Sequence, residues 1–254
     1  MKILVTNDDG FHAQGIKSLI KILDENDHKV VALAPDQERS ACSHSISIHS
    51  PLRVREVRDY VIEEGVYRVN GTPADCIKLG LHLFDNFDPE LIISGINNGK
   101  NLGHDVFYSG TVAGAVEAHL HGYKSLAVSL AVKKKRNFKG AAEMVNKIIE
   151  KIDLFNNGNK APININIPDK DISKIKGIKL TNITPKIYDR AVEKRVDPAG
   201  REYFWFVGGN QDIEYPDGDI KAVKNGYISI TPLKFDITDN SRKEELSILE
   251  NLET

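Results

Sequence analysis

Two adjacent carboxylates, Asp8 and Asp9, end the first apolar run of the chain, MKILVTNDDG. Ile3, Leu4 and Val5 suit a strand buried on both faces, which stops at Thr6-Asn7-Asp8-Asp9-Gly10. Neighbouring side chains of a strand point to opposite faces, so the two aspartates serve one site only if the chain turns, and Gly10 permits that turn. Further oxygen donors follow. Ser40 lies in an irregular polar segment, Asp36 to Ser50, and Asn97 lies in the Gly- and Asn-rich stretch from Ser94 to Asp105. Two carboxylates, a hydroxyl and an amide carbonyl suit a hard divalent ion such as Mg²⁺ or Mn²⁺ better than zinc. Ser109-Gly110-Thr111 opens a helical pattern, where backbone N–H groups, two hydroxyls and the helix dipole suit a phosphate. The combined expectation is metal-assisted hydrolysis of a phosphate monoester, with Asp9 or a metal-bound water deprotonating the nucleophile.

The elements that must position these residues follow in order. Ile16, Leu19, Ile20 and Leu23 have helical spacing within 13–26, and Lys29 to Ala34 reads as a second buried strand, so the opening is a βαβ unit. A strand-like stretch spans Pro51 to Val57; Thr72 then reads as a helix N-cap with Pro73 at the first position. Core strands are expected at Pro89 to Ser94, Ser125 to Leu130 and Pro162 to Ile167. Helices are expected over Val112 to His121 and Ala141 to Ile152, and Lys133-Lys134-Lys135-Arg136 reads as a solvated loop. Parallel strands bring Asp8 and Asp9, Ser40 and Asn97 to one edge of a sheet, where ligands of open α/β folds bind.

The expected fold is α/β, a Rossmann-like, mostly parallel sheet with helices on both faces, followed by a C-terminal β-hairpin and helix extension. Residues 1–168 read as the catalytic core and 169–254 as the extension. In the extension, Asp197-Pro198-Ala199-Gly200 is a hairpin turn signal, with Tyr203, Phe204, Trp205 and Phe206 in the return strand. Apolar residues on both faces of such a hairpin need cover, which reads as an oligomerisation arm. Tyr227 to Thr231 reads as one more strand and Ser241 to Leu252 as a terminal helix.

Composition narrows the function classes. The formal net charge of −2 over 254 residues gives no electrostatic footprint for a nucleic-acid polymer or an anionic membrane. Cys42 and Cys76 have no metal-ligand spacing and form no disulfide framework, which fits a reducing cytoplasm. A three-residue apolar run before Asn7 predicts no signal peptide, and no apolar stretch approaches a membrane span. The glycines at 95, 99 and 103 do not make a dinucleotide fingerprint.

Six ordered motifs, NDDG, PDQERS, GTPADC, SGINNGKNLGHDVFYSGTVAGAVEA, DPAGREYFW and GYISITPL, make the chain resemble the SurE survival-protein family of nucleotidases nearly end to end. The resemblance implies a Rossmann-like core whose C-terminal extension exchanges between subunits, giving a homodimer or homotetramer. It implies dephosphorylation of nucleoside 5′- and 3′-monophosphates, with activity on short polyphosphate, and one divalent cation per subunit, Mg²⁺ or Mn²⁺. By motif it implies metal ligation at Asp8, Asp9, Ser40 and Asn97 and phosphate binding at Ser109, Gly110 and Thr111. Two departures touch the loops of the site: Gln14 replaces a usual proline, and Ala41-Cys42 stands where a glycine commonly follows the serine.

Singly, each residue has a plainer reading: Ser40 a loop hydroxyl, Asn97 a turn former, Ser109 and Thr111 caps. His119 and His121 are a poor chelate pair, and His12, His44, His49 and His104 read as surface or hydrogen-bonding groups. Two rivals stand beside the hydrolase. A phosphatase with an aspartyl-phosphate intermediate usually has an Asp-x-Asp pair, whereas these aspartates are adjacent. A receiver or nucleotide-binding module would hold Mg²⁺ without turnover, but the chain is long for a receiver.

Overall fold

The structure is a computed structural model that describes residues 1–60, 62–151, 161–188, 191–207, 210–212 and 214–251. Its centre is a nine-stranded sheet. The parallel core consists of β1 (Lys2–Thr6), β2 (Lys29–Pro35), β4 (Val66–Val69), β5 (Leu91–Asn98), β6 (Ser125–Ala131) and β7 (Ile163–Pro168). They lie in the order β4-β2-β1-β5-β6-β7, with β3 (Val54–Glu56) antiparallel on the outer edge of β4. β13 (Ile228–Pro232) pairs antiparallel with β7 and parallel with β8 (Ile178–Leu180), so residues after 168 extend the same sheet.

Alternation along β1 explains the layers. Ile3 and Val5 join the cluster formed with α1 (Gln14–Asp24) and α4 (Phe138–Ile149), whereas Leu4 joins the cluster that contains Cys76 and Ile77 of α2 (Pro73–Leu83). On that second side α3 (Gly110–Leu120) sets Val112, Ala115 and Val116 against Ala127 of β6. Thr72 caps α2 in a capping box: its hydroxyl accepts the Asp75 N–H while the Asp75 carboxylate accepts its own. Among the described residues no helix is long and apolar enough to cross a membrane.

Several elements differ from expectation. β4 is an additional strand: only its two end residues, Val66 and Val69, are buried, so its apolar signal is weak. β5 runs to Asn98, four residues beyond Ser94, with a register shift against β6 between Ser94 and Asn97. The helix expected over Ala141 to Ile152 begins at Phe138, capped by Asn137, and Ile152 lies outside the described residues. The terminal helix is split into α6 (Asn240–Glu245) and a 3₁₀ turn over Leu246–Asn251, and Leu252 lies outside the described residues. The Lys133 to Arg136 loop is exposed on its side chains but organised on its backbone. Its four N–H groups converge on Asp169 Oδ2 at 2.9–3.1 Å, and the Asn137 N–H reaches Oδ1 at 3.1 Å. Burial works to raise the Asp169 carboxyl, yet these donors outweigh it and hold it at about 2.

In the extension, β10 (Val192–Val196) and β11 (Glu202–Phe206) form the expected hairpin around Asp197 to Gly200, as a separate two-stranded sheet. Every residue of both strands is exposed, Phe206 to 94%. β9 (Lys186–Tyr188) and β12 (Asn210–Asp212) make a second antiparallel pair, and α5 (Asp219–Lys224) packs on β13 and β7.

Candidate active site

The turn after β1 directs its two carboxylates apart. Gly10, at φ +91°, closes it: the Gly10 carbonyl accepts Asn7 Nδ2–H at 2.9 Å and the Ala13 N–H at 3.1 Å. Asp8 reaches one way, to the start of α3, where Oδ1 accepts the Thr111 hydroxyl at 2.5 Å and Oδ2 the Thr111 N–H at 3.1 Å. Asp9 reaches the other way, to the end of β5, where Oδ2 accepts the Asn98 N–H at 2.8 Å. The pair therefore spans the gap between α3 and β5.

Ser40 and Asn97 complete the rim. The loop after β2 is tied back to the turn by the Arg39 N–H on the Asp8 carbonyl at 2.7 Å. Ser40 donates its hydroxyl to Glu38 at 2.5 Å, which leaves its oxygen lone pairs to accept. Asn97 donates Nδ2–H to the Gly99 carbonyl at 3.1 Å, so its amide oxygen is the end left for a ligand. Asp8, Asp9, Ser40 and Asn97 all line one cleft of about 440 Å³, together with Glu38 and Asp105. Among the described residues lining it none is Lys or Arg, and Lys186 pairs with Asp105 at its edge. Among the described residues no cluster of three or more His, Cys, Asp or Glu has metal-holding geometry. The donor set of this cleft is instead mixed, two carboxylates with one hydroxyl and one amide, and that oxygen set with excess negative charge fits a hard divalent cation.

Burial decides the electrostatics. It pushes the Asp8 carboxyl up from the ordinary range, with the Thr111 hydrogen bonds working against it. It raises Asp9 to about 6, opposed by the Asn98 N–H and assisted by the negative charges of Asp8 and Glu38.

The Ser109 to Thr111 segment has two roles. Ser109 caps α3 by accepting the Val112 N–H at 3.0 Å, and it also lines the cleft. Thr111 is fully buried, with its hydroxyl and N–H both given to Asp8, so its observed contact is to a carboxylate. The Gly110 N–H has no acceptor among the described residues and is the first-turn amide left for an anion. A Cβ on Gly110 would meet Cys42 Sγ at 2.8 Å and Asp8 Cβ at 2.9 Å. Gly110→Ala therefore displaces Asp8. The expected result is a loss of roughly tenfold to a hundredfold in turnover of a phosphate ester. A stability cost of about 1–3 kcal/mol, read by urea unfolding, accompanies it. A Gly110→Ala protein with unchanged rate would show that the contact relaxes harmlessly.

Comparison with known proteins identifies the family of the chain. The family model described as "Survival protein SurE" matches residues 3–190. The chain is 44% identical over 248 residues to a protein of Caldanaerobacter subterraneus subsp. tengcongensis named 5′-nucleotidase SurE, with 96% of each chain covered. It is 43% identical to a protein of Pelotomaculum thermopropionicum with the same name, over 98% of this chain and 95% of that one. The crystal structure of SurE protein from Aquifex aeolicus superposes with a TM-score of 0.85 at 35% identity, covering 99% of this chain and 100% of the other. The chain belongs to the SurE family.

This SurE chain holds its second loop more firmly than an irregular polar segment suggests. The Ser43 N–H and hydroxyl bond to the carbonyls of Tyr108 and Phe107 at 3.0 and 2.6 Å. His44 Nε2 lies 2.6 Å from Glu117 Oε2, and the Ser47 N–H and hydroxyl reach Asp75 at 2.9 and 2.7 Å. Glu117 also meets Lys78 and His121, at 3.4 and 3.1 Å. Burial works to raise Glu117, but His44 and Lys78 outweigh it and hold the carboxyl below its ordinary value. Ala41, beside Ser40, takes φ +54°, a conformation that favours glycine.

Sequence reasoning missed Glu38, Asp105 and Lys186. Lys186 of β9 is buried and pairs with Asp105 at the cleft, joining the extension to the site. Asp219 of α5 makes a second junction, accepting the Gly103 N–H at 2.8 Å and the Thr184 hydroxyl at 2.6 Å. The only sequence signal for Glu38 was its place two residues before Ser40; Lys186 and Asp219 carried none.

Proposed function

We propose that this chain is a 5′-nucleotidase that hydrolyses nucleoside 5′-monophosphates to nucleoside and phosphate with a divalent cation, Mg²⁺ or Mn²⁺, held by Asp8, Asp9, Ser40 and Asn97. The reading extends to nucleoside 3′-monophosphates and short polyphosphate, in the cytoplasm. The observation that carries it is the convergence of four oxygen donors from three strand ends on one acidic cleft, bordered by the Ser109 cap of α3. The names of the relatives, 5′-nucleotidase SurE, supply the substrate class.

A divalent ion held by Asp8, Asp9, Ser40 and Asn97 would offset the carboxylate charge and supply Lewis-acid chemistry toward the phosphate. The protein does the rest. The Gly110 N–H and the Ser109 hydroxyl orient the phosphate at the helix N-terminus. Thr111 holds Asp8 in place, and the Asn98 N–H holds Asp9. Water attacks phosphorus as the bond to the ribose oxygen breaks; Asp9, lining the cleft, is placed to take the proton of the attacking water, and the departing ribose oxygen takes up a proton from solvent, which leaves nucleoside and phosphate.

The test is release of inorganic phosphate from AMP by the purified protein with Mn²⁺ or Mg²⁺, abolished by EDTA and restored by excess cation. No release from any nucleoside monophosphate overturns the reading, and a trapped covalent phosphoenzyme moves it to the aspartyl-phosphate mechanism. Light scattering on the same preparation tests the hairpin as an oligomerisation arm, which a monomer would remove.

A further inference from the structure

The near-neutral total charge is an average that conceals a segregation of sign. Residues 133–139 carry five cations and no carboxylate, and residues 169–179 carry four lysines and two aspartates. The two stretches are folded together: the backbone of the first closes on the Asp169 carboxylate, and Lys135 Nζ meets both carboxylate oxygens of Asp171 at 2.7 Å. These aspartates do little to balance the outward charge. Asp169 is buried beneath the loop with its oxygens given to backbone amides, and Asp171 is shared between Lys135 and Lys174. Lys133, Lys134 and Arg136 are exposed, and among the described residues no carboxylate pairs with any of them.

The loop is a fixed platform. Four consecutive amides converge on one carboxylate oxygen, and Arg136 is held at φ +51°, so a ligand bound there does not first have to order the chain. Lys135, Arg136 and Lys139 line a shallow cleft of about 570 Å³ with Gln14 and Ser18 of α1. α1 follows the turn that carries Asp8 and Asp9, and the loop leaves the end of β6, the parallel neighbour of β5. The basic surface therefore lies on the same edge of the sheet as the acidic cleft. Beyond Lys174 the charge continues to Lys176 and Lys179, whose Nζ atoms stand 5.9 and 4.5 Å from the ring centre of Tyr227. Alternation along β8 points Ile178 and Leu180 away from Lys179, and no large apolar side chain is exposed within 133–139.

We propose that this surface binds the phosphodiester backbone of a single-stranded polynucleotide, with RNA as its occupant. Separate point charges spread over two segments suit a chain of spaced anions better than one compact phosphate, for which a single enclosed pocket suffices. Eight of the nine cations are lysines, which neutralise phosphates without the bidentate fork that reads a base edge, so binding is insensitive to sequence. An anionic lipid surface would meet the same charges, but the loop offers it no apolar side chain to insert. The choice of RNA over DNA rests on the nucleotidase reading. Hydrolysis of RNA yields ribonucleoside monophosphates, and a nucleotidase docked on that polymer meets them at their source.

The experiment follows the fluorescence anisotropy of a labelled uridine oligoribonucleotide, of roughly 20 residues, with the full chain in Mg²⁺. Between about 50 and 200 mM NaCl the native affinity is expected to fall about fiftyfold, as when about four phosphates of a single strand are neutralised. Lys133→Gln/Lys134→Gln/Arg136→Gln binds about tenfold or more weakly at the lower salt, with the logarithmic salt slope reduced by about 2. The amides on Asp169 are untouched in that variant, and a thermal melt confirms the fold. Lys17→Gln/Lys21→Gln/Lys147→Gln, which removes the same charge from exposed positions of α1 and α4, keeps the native affinity, and both variants release phosphate from AMP at the native rate. A thymidine DNA strand of the same length binds within about threefold, because charge is read and the 2′-hydroxyl is not. No binding by the native chain, or an equal loss in the two variants, overturns the proposal. So does a DNA preference beyond about tenfold, or stronger displacement of the strand by phosphatidylserine vesicles or by polyphosphate than by unlabelled RNA at equal phosphate. Failure of the nucleotidase reading looks different: no phosphate is then released from AMP, while the labelled strand still binds.

Discussion

Asp8→Asn lowers kcat/KM for AMP by about a thousandfold or more, roughly 4 kcal/mol of transition-state free energy, while the melting temperature stays close to native. The asymmetry follows from the surroundings of the side chain. Asp8 is buried and has two partners, the hydroxyl and the N–H of Thr111. An asparagine of the same shape keeps one oxygen to accept the Thr111 N–H and turns its NH₂ to the Thr111 hydroxyl, which can accept. The packing between the β1 turn and α3 therefore survives, and burial disfavours the charge that is removed. What is lost is the formal charge of one of the two aspartates proposed to hold a cation, on the side of the cleft beside Gly110. Steady-state kinetics with Mn²⁺ over a wide concentration range, beside a thermal melt, measure both halves. A native rate in Asp8→Asn would remove the acidic pair from the chemistry; an unfolded Asp8→Asn would show that the carboxylate is chiefly structural, a role that Thr111→Val tests separately.

The metal-free protein is expected to be more stable at pH 5 than at pH 7.5, and divalent cation at pH 7.5 to raise the melting temperature by roughly 5–10 °C when present at about a hundred times its Kd. The sign follows from the direction of the shifts. Asp8 is raised, and Asp9 is raised to about 6 from an ordinary 3.8. A carboxyl whose folded pKa is raised contributes stability in full below its unfolded value, and that contribution disappears as pH rises through the folded value. For Asp9 the window runs from about 4 to above 6. His28, which burial lowers, works in the opposite direction over part of that range, so the comparison that isolates the site is Asp9→Asn. In that variant the destabilisation between pH 5 and 7.5 shrinks and the stabilisation by cation falls with it. Differential scanning fluorimetry in EDTA and in Mg²⁺ or Mn²⁺ reads both effects without any turnover. A cation that leaves the melting temperature of the native protein unchanged at saturating concentration sinks the metal assignment.

The parts of the fold and site that were legible in the sequence share one property: their cause is local. The apolar run of β1, the helical spacing of α1 and the Thr72-Pro73 start of α2 depend on residues within a turn or two of each other, and each is present. The four oxygen donors were legible because parallel strands end on one edge, a rule of topology that needs no distances. What was hidden depends on partners far along the chain. The reach of β5 to Asn98 comes from its pairing with β6, although Gly and Asn dominate its end. Thr111 reads as a cap or an anion donor until Asp8, 103 positions earlier, is placed against it. The loop around Ser40 is polar and irregular in composition, yet Tyr108, Glu117 and Asp75 each hold one of its residues. The junctions of Lys186 with Asp105 and of Asp219 with Gly103 join the extension to the core through single buried charges, which no periodicity announces.

Asp8 and Asp9 are consecutive, and that adjacency has a mechanical meaning. Their α-carbons are joined by one planar peptide unit, about 3.8 Å long and among the stiffest linkages in a polypeptide. Ser40 and Asn97 arrive on different segments, whereas the backbone span between the two aspartates is fixed and only their carboxylates part, one tied to Thr111 of α3 and the other to Asn98 of β5. An ion held there as proposed would meet one pair of donors joined by a single stiff backbone link and a second pair, hydroxyl and amide, that arrives on separate segments.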